Sequence, residues 1–166
     1  MFTYQGSLAG QAGHSPDVAN TSYSVSLACQ VAGASAATFL AGRVNWLLTV
    51  IVAAAATAAV LYGFYNLPSA DMFLVLSGAF GFLWLFALPF LVPMIIEADP
   101  TRRAAVLIGG AQVLGGSFGP FIASLLVTET DARGAILFSG ACMIVAILIA
   151  FGVHQIRPKA PSAGAP

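Results

Sequence analysis

Five stretches of about 20 mostly apolar residues limit what this chain can fold into more than any other feature. An α-helix rises 1.5 Å per residue, so a stretch of this length crosses the hydrocarbon core of a bilayer, which is roughly 30 Å thick. Short polar or Gly/Pro-containing connections separate the stretches. The sequence therefore predicts an all-α fold, a polytopic membrane bundle with about five transmembrane helices. The predicted spans are Tyr23–Leu40, Trp46–Tyr65, Met72–Ile96, Ala104–Val127 and Ala135–His154.

The low content of charge supports a lipid environment. Of the 166 residues, 59% are hydrophobic and 7% are charged, whereas soluble domains carry about 25% charged residues. The net charge is zero, which gives no indication of a nucleic-acid partner. Cys29 and Cys142 lie in apolar runs without a CxxC or Cys/His cluster, so neither a metal site nor another cofactor is predicted. The partner indicated by composition is the lipid bilayer.

The chain divides into three parts around these spans. Residues 1–22 are interpreted as the end of a preceding helix and an external loop, and residues 23–154 as the five-helix transmembrane region. Residues 155–166 include the Pro- and Ala-rich stretch RPKAPSAGAP. Such a composition cannot bury a core, so a disordered cytoplasmic tail is predicted.

The basic residues predict an orientation. One side of the bilayer holds Arg133 beside two acidic residues, and the other side holds the remaining basic residues. Cytoplasmic loops carry an excess of Lys and Arg, so the amino end is predicted outside and the carboxyl end in the cytoplasm. The localisation that follows is a multi-pass protein of the cell membrane, the bacterial inner membrane being expected. The residues assigned to the cytoplasmic side are Arg43, Arg102, Arg103, Arg157 and Lys159.

The predicted spans contain few polar side chains, and those that lie deep in a span are uncharged. No Asp, Glu, Lys, Arg or His lies deep in any predicted span. Three spans instead carry a stripe of small residues with one larger polar or aromatic side chain, namely Gln30, Trp84 or Gln112. These three residues are candidates for a substrate pathway. Packing and interhelical hydrogen bonds are the alternative interpretation. The stripes are Ser26, Gln30, Gly33 and Ala37; Ser77, Gly81, Trp84 and Leu88; and Gly109, Gln112, Gly116 and Gly119.

Prolines and glycines in the third and fourth spans are candidates for helix movement or close packing. Proline removes a backbone donor and clashes with the preceding turn, so Pro89 and Pro93 predict a kink. The spacing Gly115-x-x-x-Gly119 permits close approach of two helices. Gly116 and Pro120 belong to the same segment. Ordinary helix irregularity and static packing are the alternatives.

The order of these features resembles the carboxyl-terminal half of a major facilitator superfamily transporter. YQGSLAGQAGHSPDVANTSYSVSL is similar to the end of the seventh helix, its external loop and the start of the eighth helix. GASAATFLAGR resembles the degenerate form of the family's cytoplasmic loop signature, which places Gly42 and Arg43 between the eighth and ninth helices. EADPTRR resembles the loop between the tenth and eleventh helices, and GGAQVLGGSFGP resembles the Gly/Pro-rich eleventh helix. One departure is the Ala-Gly-Arg order, because the stronger signature has an acidic residue before Arg. A phosphate-facing or helix-capping role for Arg43 is the alternative to a charge relay.

The resemblance implies secondary active transport of a small molecule by alternating access. Arg43, Arg102 and Arg103 would fix the cytoplasmic loops. Transporters of this family contain two six-helix halves, so the chain is expected to be a fragment that needs the missing amino-terminal half and is inactive alone. The alternative is a non-transporting membrane module for assembly or sensing. An intramembrane enzyme is disfavoured because the spans carry no acid/base pair, metal ligand set or nucleophile–base pair.

Overall fold

The computed structural model describes residues 2–99, 101, 103–128 and 131–156. Within these ranges the chain is helical and contains no strand, which confirms the predicted all-α bundle. A short 3₁₀ turn precedes the first helix. Five of the helices are long and apolar enough to span a membrane. The turn is Phe2–Tyr4 and the helices are α1 Gln5–Gln11, α2 Pro16–Leu40, α3 Trp46–Tyr65, α4 Ala70–Ala98, α5 Arg103–Ser124 and α6 Arg133–Ile156.

The first long helix begins earlier than the hydropathy pattern predicts. Its first residue is Pro16 rather than Tyr23. The stretch 1–22 was predicted to hold the end of a preceding helix and an external loop; its described residues form the turn Phe2–Tyr4, α1, a short connection at 12–15 and the first turns of α2. Ser15 is extended and Pro16 occupies the first helical turn, where a missing N–H costs nothing. Asp17 adds a favourable negative charge to the same turn. These start signals are local, whereas the polar residues that follow lower the mean hydropathy that defined the span.

The other helix bounds lie close to the predicted ones. α3 begins and ends as predicted, because Asn45 accepts a hydrogen bond from the N–H of Leu48 (3.1 Å) and so caps the helix. α4 extends a little beyond the predicted span at both ends and includes two prolines. α5 ends at Ser124 instead of Val127, since the chain tightens there into a turn in which the N–H of Leu125 bonds to Ile122 O (3.1 Å).

The centre of the bundle is the pair α2 and α4, which run in the same direction and touch along their backbones. An added Cβ at Gly33 would lie 3.0 Å from the carbonyl carbon of Phe82, and one at Gly81 would lie 2.7 Å from Ser26 Oγ. Helices approach this closely only where both present small residues. The glycines of these two helices therefore set the distance between them.

Two hydrophobic clusters close the ends of the bundle. One joins α1 with α3, α4 and α6, and its largest buried side chains are Phe64 and Phe73, whose rings meet edge to face at 5.1 Å. The other joins the opposite ends of α2, α3, α4 and α6 and contains Ala37, Val50, Phe90 and Ala150. Because each cluster unites alternate helix ends, the long helices run up and down in turn.

α5 lies at the edge of this arrangement. Only 6% of its apolar span is buried within the molecule, compared with 28% for α3. Arg103 lies at the same end of the bundle as Arg43, and Arg133 lies at the other end. This separation is the one on which the predicted orientation depends. The side on which each end lies in a membrane remains a prediction. Arg102, Arg157, Lys159 and residues 157–166 of the predicted tail lie outside the described residues.

Candidate functional site

The small-residue stripes of α2 and α4 face each other. Ser26 and Gly33 are buried on α2, and Ser77 and Gly81 are buried on α4. The backbone contacts of Gly33 and Gly81 join the two stripes directly. For these small residues, helix packing is therefore sufficient as an explanation. They form an interface and do not line a cavity.

Gln30 and Trp84 differ from their neighbours because packing does not enclose them. Gln30 is half-buried on α2, between Ser26 and Gly33 along the helix. The indole of Trp84 is 57% exposed on α4, and its ring lies 6.1 Å from that of Phe80. The contacts on either side of Gln30 bring α2 to the part of α4 that carries Trp84. The structure thus places these two residues at the edges of one helix interface.

Gln112 lies on another helix, α5. Its side chain is exposed on α5, and no atom comes within 4 Å of a Cβ added at Gly115, Gly116 or Gly119. The close packing predicted for Gly115-x-x-x-Gly119 is therefore not made within the described part of this chain. Pro120 is one point at which α5 is attached to the rest of the molecule, because its carbonyl accepts a hydrogen bond from the hydroxyl of Tyr4 (2.9 Å).

Each of the three candidate residues lies near the middle of its own helix. Trp84 is the central residue of α4, while Gln30 and Gln112 each lie about two residues from the centre of their own helices. With 1.5 Å rise per residue, each is within about 3 Å of its helix midpoint along the axis. Amide groups donate and accept hydrogen bonds, and an indole offers a flat apolar face with one donor. Each of these side chains can therefore form hydrogen bonds, and the indole can also stack on a flat group.

The two prolines of α4 lie toward its carboxyl-terminal end. Pro89 and Pro93 are both exposed, and the helix continues through both residues to Ala98. Each proline leaves one carbonyl of the preceding turn without its usual backbone donor. They therefore mark the part of α4 that has fewer internal hydrogen bonds than the rest.

Gly42 and Arg43 follow the end of α2. Gly42 has a φ of +76°, a left-handed conformation that glycine adopts without a steric penalty. Arg43 Nη1 donates a hydrogen bond to Phe39 O (2.6 Å), one of the carbonyls that a helix end leaves unpaired. The capping role that the sequence left open for Arg43 is thus seen in the structure.

Two aspartates organise the neighbouring connections. Asp99 accepts hydrogen bonds from the hydroxyl and N–H of Thr101 and from the N–H of Ala104, and these bonds lower the pKa of its carboxyl group. At the other end of the bundle, Gln11 Nε2 donates to Asp131 Oδ1 (3.0 Å). This bond, followed by one from the N–H of Arg133, lowers the pKa of Asp131. Both carboxylates are therefore held in their charged form at helix starts.

One buried polar contact, between α1 and α4, was not predicted from the sequence. Gln5 Nε2 donates to Ser77 Oγ, which in turn donates to Phe73 O (2.7 Å). Gln5 is only 2% exposed and Ser77 is fully buried. Among the described residues, Gln5 Oε1 has no hydrogen-bond partner. The i, i+3 spacing of Gln5 and Leu8 is the signal that would have predicted a common buried face.

Other chemistry has little support in the described ranges. No group of three or more His, Cys, Asp or Glu side chains there is placed to hold a metal ion. Cys29 and Cys142 are both free thiols. Comparison of the chain with protein-family models, known proteins and solved structures found no match. By helix length and composition, the chain has the architecture of a multi-pass membrane protein.

Proposed function

We propose that this chain is the carboxyl-terminal half of a secondary transporter of the major facilitator type, which moves a small molecule by alternating access. The observation that carries the proposal is that Gln30, Trp84 and Gln112 each lie near the middle of a long apolar helix. Transporters of this architecture bind substrate near the bilayer midplane, between two sets of helices. In this scheme the two amides bond the substrate and the Trp84 indole stacks on it.

The exposed face of α5 supports a second set of helices as the partner. Glycine contributes no apolar side chain, so a row of glycines gains little from facing lipid and permits close approach of a helix. A Cβ added at Gly115, Gly116 or Gly119 would meet no other described element within 4 Å, and Gln112 shares their helix. An amino-terminal half would cover this face and complete the cavity. Pro89, Pro93 and Pro120 would allow the helices to adjust as the halves rock.

The remaining parts of the proposal concern orientation. Gly42 and Arg43 would fix the first cytoplasmic loop, and Arg102 and Arg103 the second. The amino end would lie outside and the carboxyl end in the cytoplasm, in the inner membrane of a bacterium. The excess of basic residues on one side supports this orientation.

A cysteine-labelling experiment tests the site without knowledge of the substrate. With Cys29 and Cys142 changed to Ala, single Trp84→Cys and Gln112→Cys variants are treated in membranes with a charged methanethiosulfonate reagent. A water-filled pathway predicts modification of both. Ile144→Cys is the matched control, because it is exposed and central in α6 but lies outside the proposed pathway. Labelling of neither test position, or equal labelling of all three, would reject the pathway.

Reconstitution tests the need for a second half. Proteoliposomes containing this chain alone are expected to show no saturable uptake of any solute in a substrate panel. Saturable uptake by the chain alone would overturn the two-half proposal. In the two-half protein, Trp84→Ala and Gln112→Ala should weaken uptake or alter selectivity, and unchanged kinetics in both would assign them to packing.

A non-transporting assembly module is the second candidate. The unpacked Gly115-x-x-x-Gly119 face favours it, because such a face associates with another helix whether or not transport occurs. The labelling experiment separates the two functions. An assembly module predicts that Gln112→Cys is protected by its partner and that Trp84→Cys reacts no more than the Ile144→Cys control.

A further inference from the structure

A groove lies between the start of α3 and the middle of α4. Its volume is about 270 Å³, and it opens to the surroundings of the bundle. Leu48 and Val52 on its wall are 63% and 57% exposed. The lining is apolar apart from two side chains that already form local hydrogen bonds at the helix start. The lining residues are Val44, Asn45, Leu48, Thr49, Val52 and Phe86.

The position of the groove matches the outer part of a lipid leaflet. It extends from the residues before α3 to Val52, about two helical turns, or roughly 10 Å along the axis. α3 is one of the helices long and apolar enough to cross a bilayer. In a spanning helix, this segment runs from the headgroup level into the hydrocarbon. The apolar wall therefore meets the first part of an acyl chain.

The mouth of the groove lies beside a basic connection between α2 and α3. The connection Ala41–Asn45 contains Arg43 and no acidic residue. The Arg43 contact with Phe39 O uses one of the five N–H donors of a guanidinium group. The amino terminus of α3 adds the positive end of a helix dipole beside the same mouth. This charge is complementary to a phosphate group.

We propose that this groove binds one anionic phospholipid, with an acyl chain along Leu48, Val52 and Phe86 and its phosphate at Arg43. The charge at the mouth selects an anionic headgroup over a zwitterionic one, and the apolar wall holds the chain. This inference does not depend on transport. Neither measurement below involves uptake, so the outcome leaves the proposed function to its own tests.

Fluorescence quenching by brominated lipids tests the proposal. The chain contains two tryptophans, so Trp84→Phe leaves Trp46, in the first turn of α3, as the reporter. The protein is reconstituted in vesicles of phosphatidylcholine mixed with phosphatidylglycerol, with bromine on the chains of one lipid at a time. We expect the apparent association constant of phosphatidylglycerol to be about fivefold higher than that of phosphatidylcholine. The reason is that one basic residue near a bilayer surface contributes about 1 kcal/mol of attraction to anionic lipid. The preference should decrease as salt is raised.

Two variants and one control decide the result. Arg43→Gln should abolish the preference, and Val52→Phe, which fills the groove, should weaken it while the charge remains. Arg103→Gln removes a cation from the start of α5, at the same end of the bundle, and should leave the preference unchanged. Equal quenching by the two lipids, or a preference that survives Arg43→Gln, would overturn the proposal. Circular dichroism of each variant verifies folding, and the salt series on the Trp84→Phe protein tests the charge if Arg43→Gln does not fold.

Discussion

Replacement of Gly33 by Ala should separate the two helices at the centre of the bundle. The added Cβ would lie 3.0 Å from the carbonyl carbon and 3.1 Å from the Cα of Phe82, and closer still to the carbonyl oxygen. Ordinary contact begins near 3.4 Å. These atoms belong to the backbone of α4, so they cannot rotate away as a flexible side chain can. Either α2 or α4 must therefore move.

The cost follows from the loss of contact along the whole interface. A gap of 0.5–1 Å removes roughly a quarter to a half of the dispersion energy of each affected pair of atoms. Overpacking of a well-packed core costs about 1–3 kcal/mol. We expect Gly33→Ala to lower the free energy of unfolding by about 2 kcal/mol, which is roughly a 30-fold change in the folding equilibrium constant. Gly81→Ala should cost a similar amount, and the double variant less than the sum because one separation relieves both clashes.

Gly115→Ala is the matched control for this perturbation. It makes the same chemical change in a long helix, but nothing lies within 4 Å of the new Cβ. The control should be neutral or stabilising by up to ~1 kcal/mol, since alanine favours helix more than glycine does. Unfolding is measured by transfer from mild detergent into SDS micelles, followed by far-ultraviolet circular dichroism. Equal midpoints for Gly33→Ala and Gly115→Ala would refute the close contact between α2 and α4.

Three further perturbations test local contacts. Ser77→Ala should destabilise the protein by about 1–3 kcal/mol, because it leaves the Gln5 amide buried without its acceptor. In the same SDS titration, the double variant with Gln5→Leu should recover much of this loss. The pKa of Asp131 is lowered mainly by the bond from Gln11, so its contribution to stability is present above the ordinary carboxyl pKa of 3.8 and is lost as pH falls through the lowered value. Stabilities of the natural chain and Asp131→Asn should therefore converge in acid, and a constant difference would argue against this contact. Asn45→Ala should cost about 1 kcal/mol through loss of the α3 cap, and hydrogen exchange localised to the first turn of α3 measures it.

The number and approximate bounds of the long helices could be predicted from the sequence because hydropathy is a local property. Each span contains enough apolar residues to be identified without knowledge of its neighbours. The start of α2 is the exception. Polar residues near the start of α2 reduce its mean hydropathy to 1.2, the lowest of the five, and the helix start at Pro16 depends instead on Ser15 and the proline itself.

The roles of the small residues required the tertiary structure. Stripes on three helices have similar spacing, yet two of them close against each other and the third remains open. Periodicity shows which residues share a face of a helix, but it does not show which face meets another helix. That choice depends on how segments distant in sequence pack together. The same reason explains why the contact of Gln5 with Ser77 was not predicted.

The sequence by itself determined that this chain is a set of apolar helices suited to a membrane, with its basic residues concentrated at one end. It also singled out Gln30, Trp84 and Gln112. Only the tertiary structure showed that α2 and α4 meet at Gly33 and Gly81 while Trp84 and Gln112 stay exposed. The physical reason is that lipid compatibility adds up residue by residue, whereas close packing depends on the shapes of two surfaces at once.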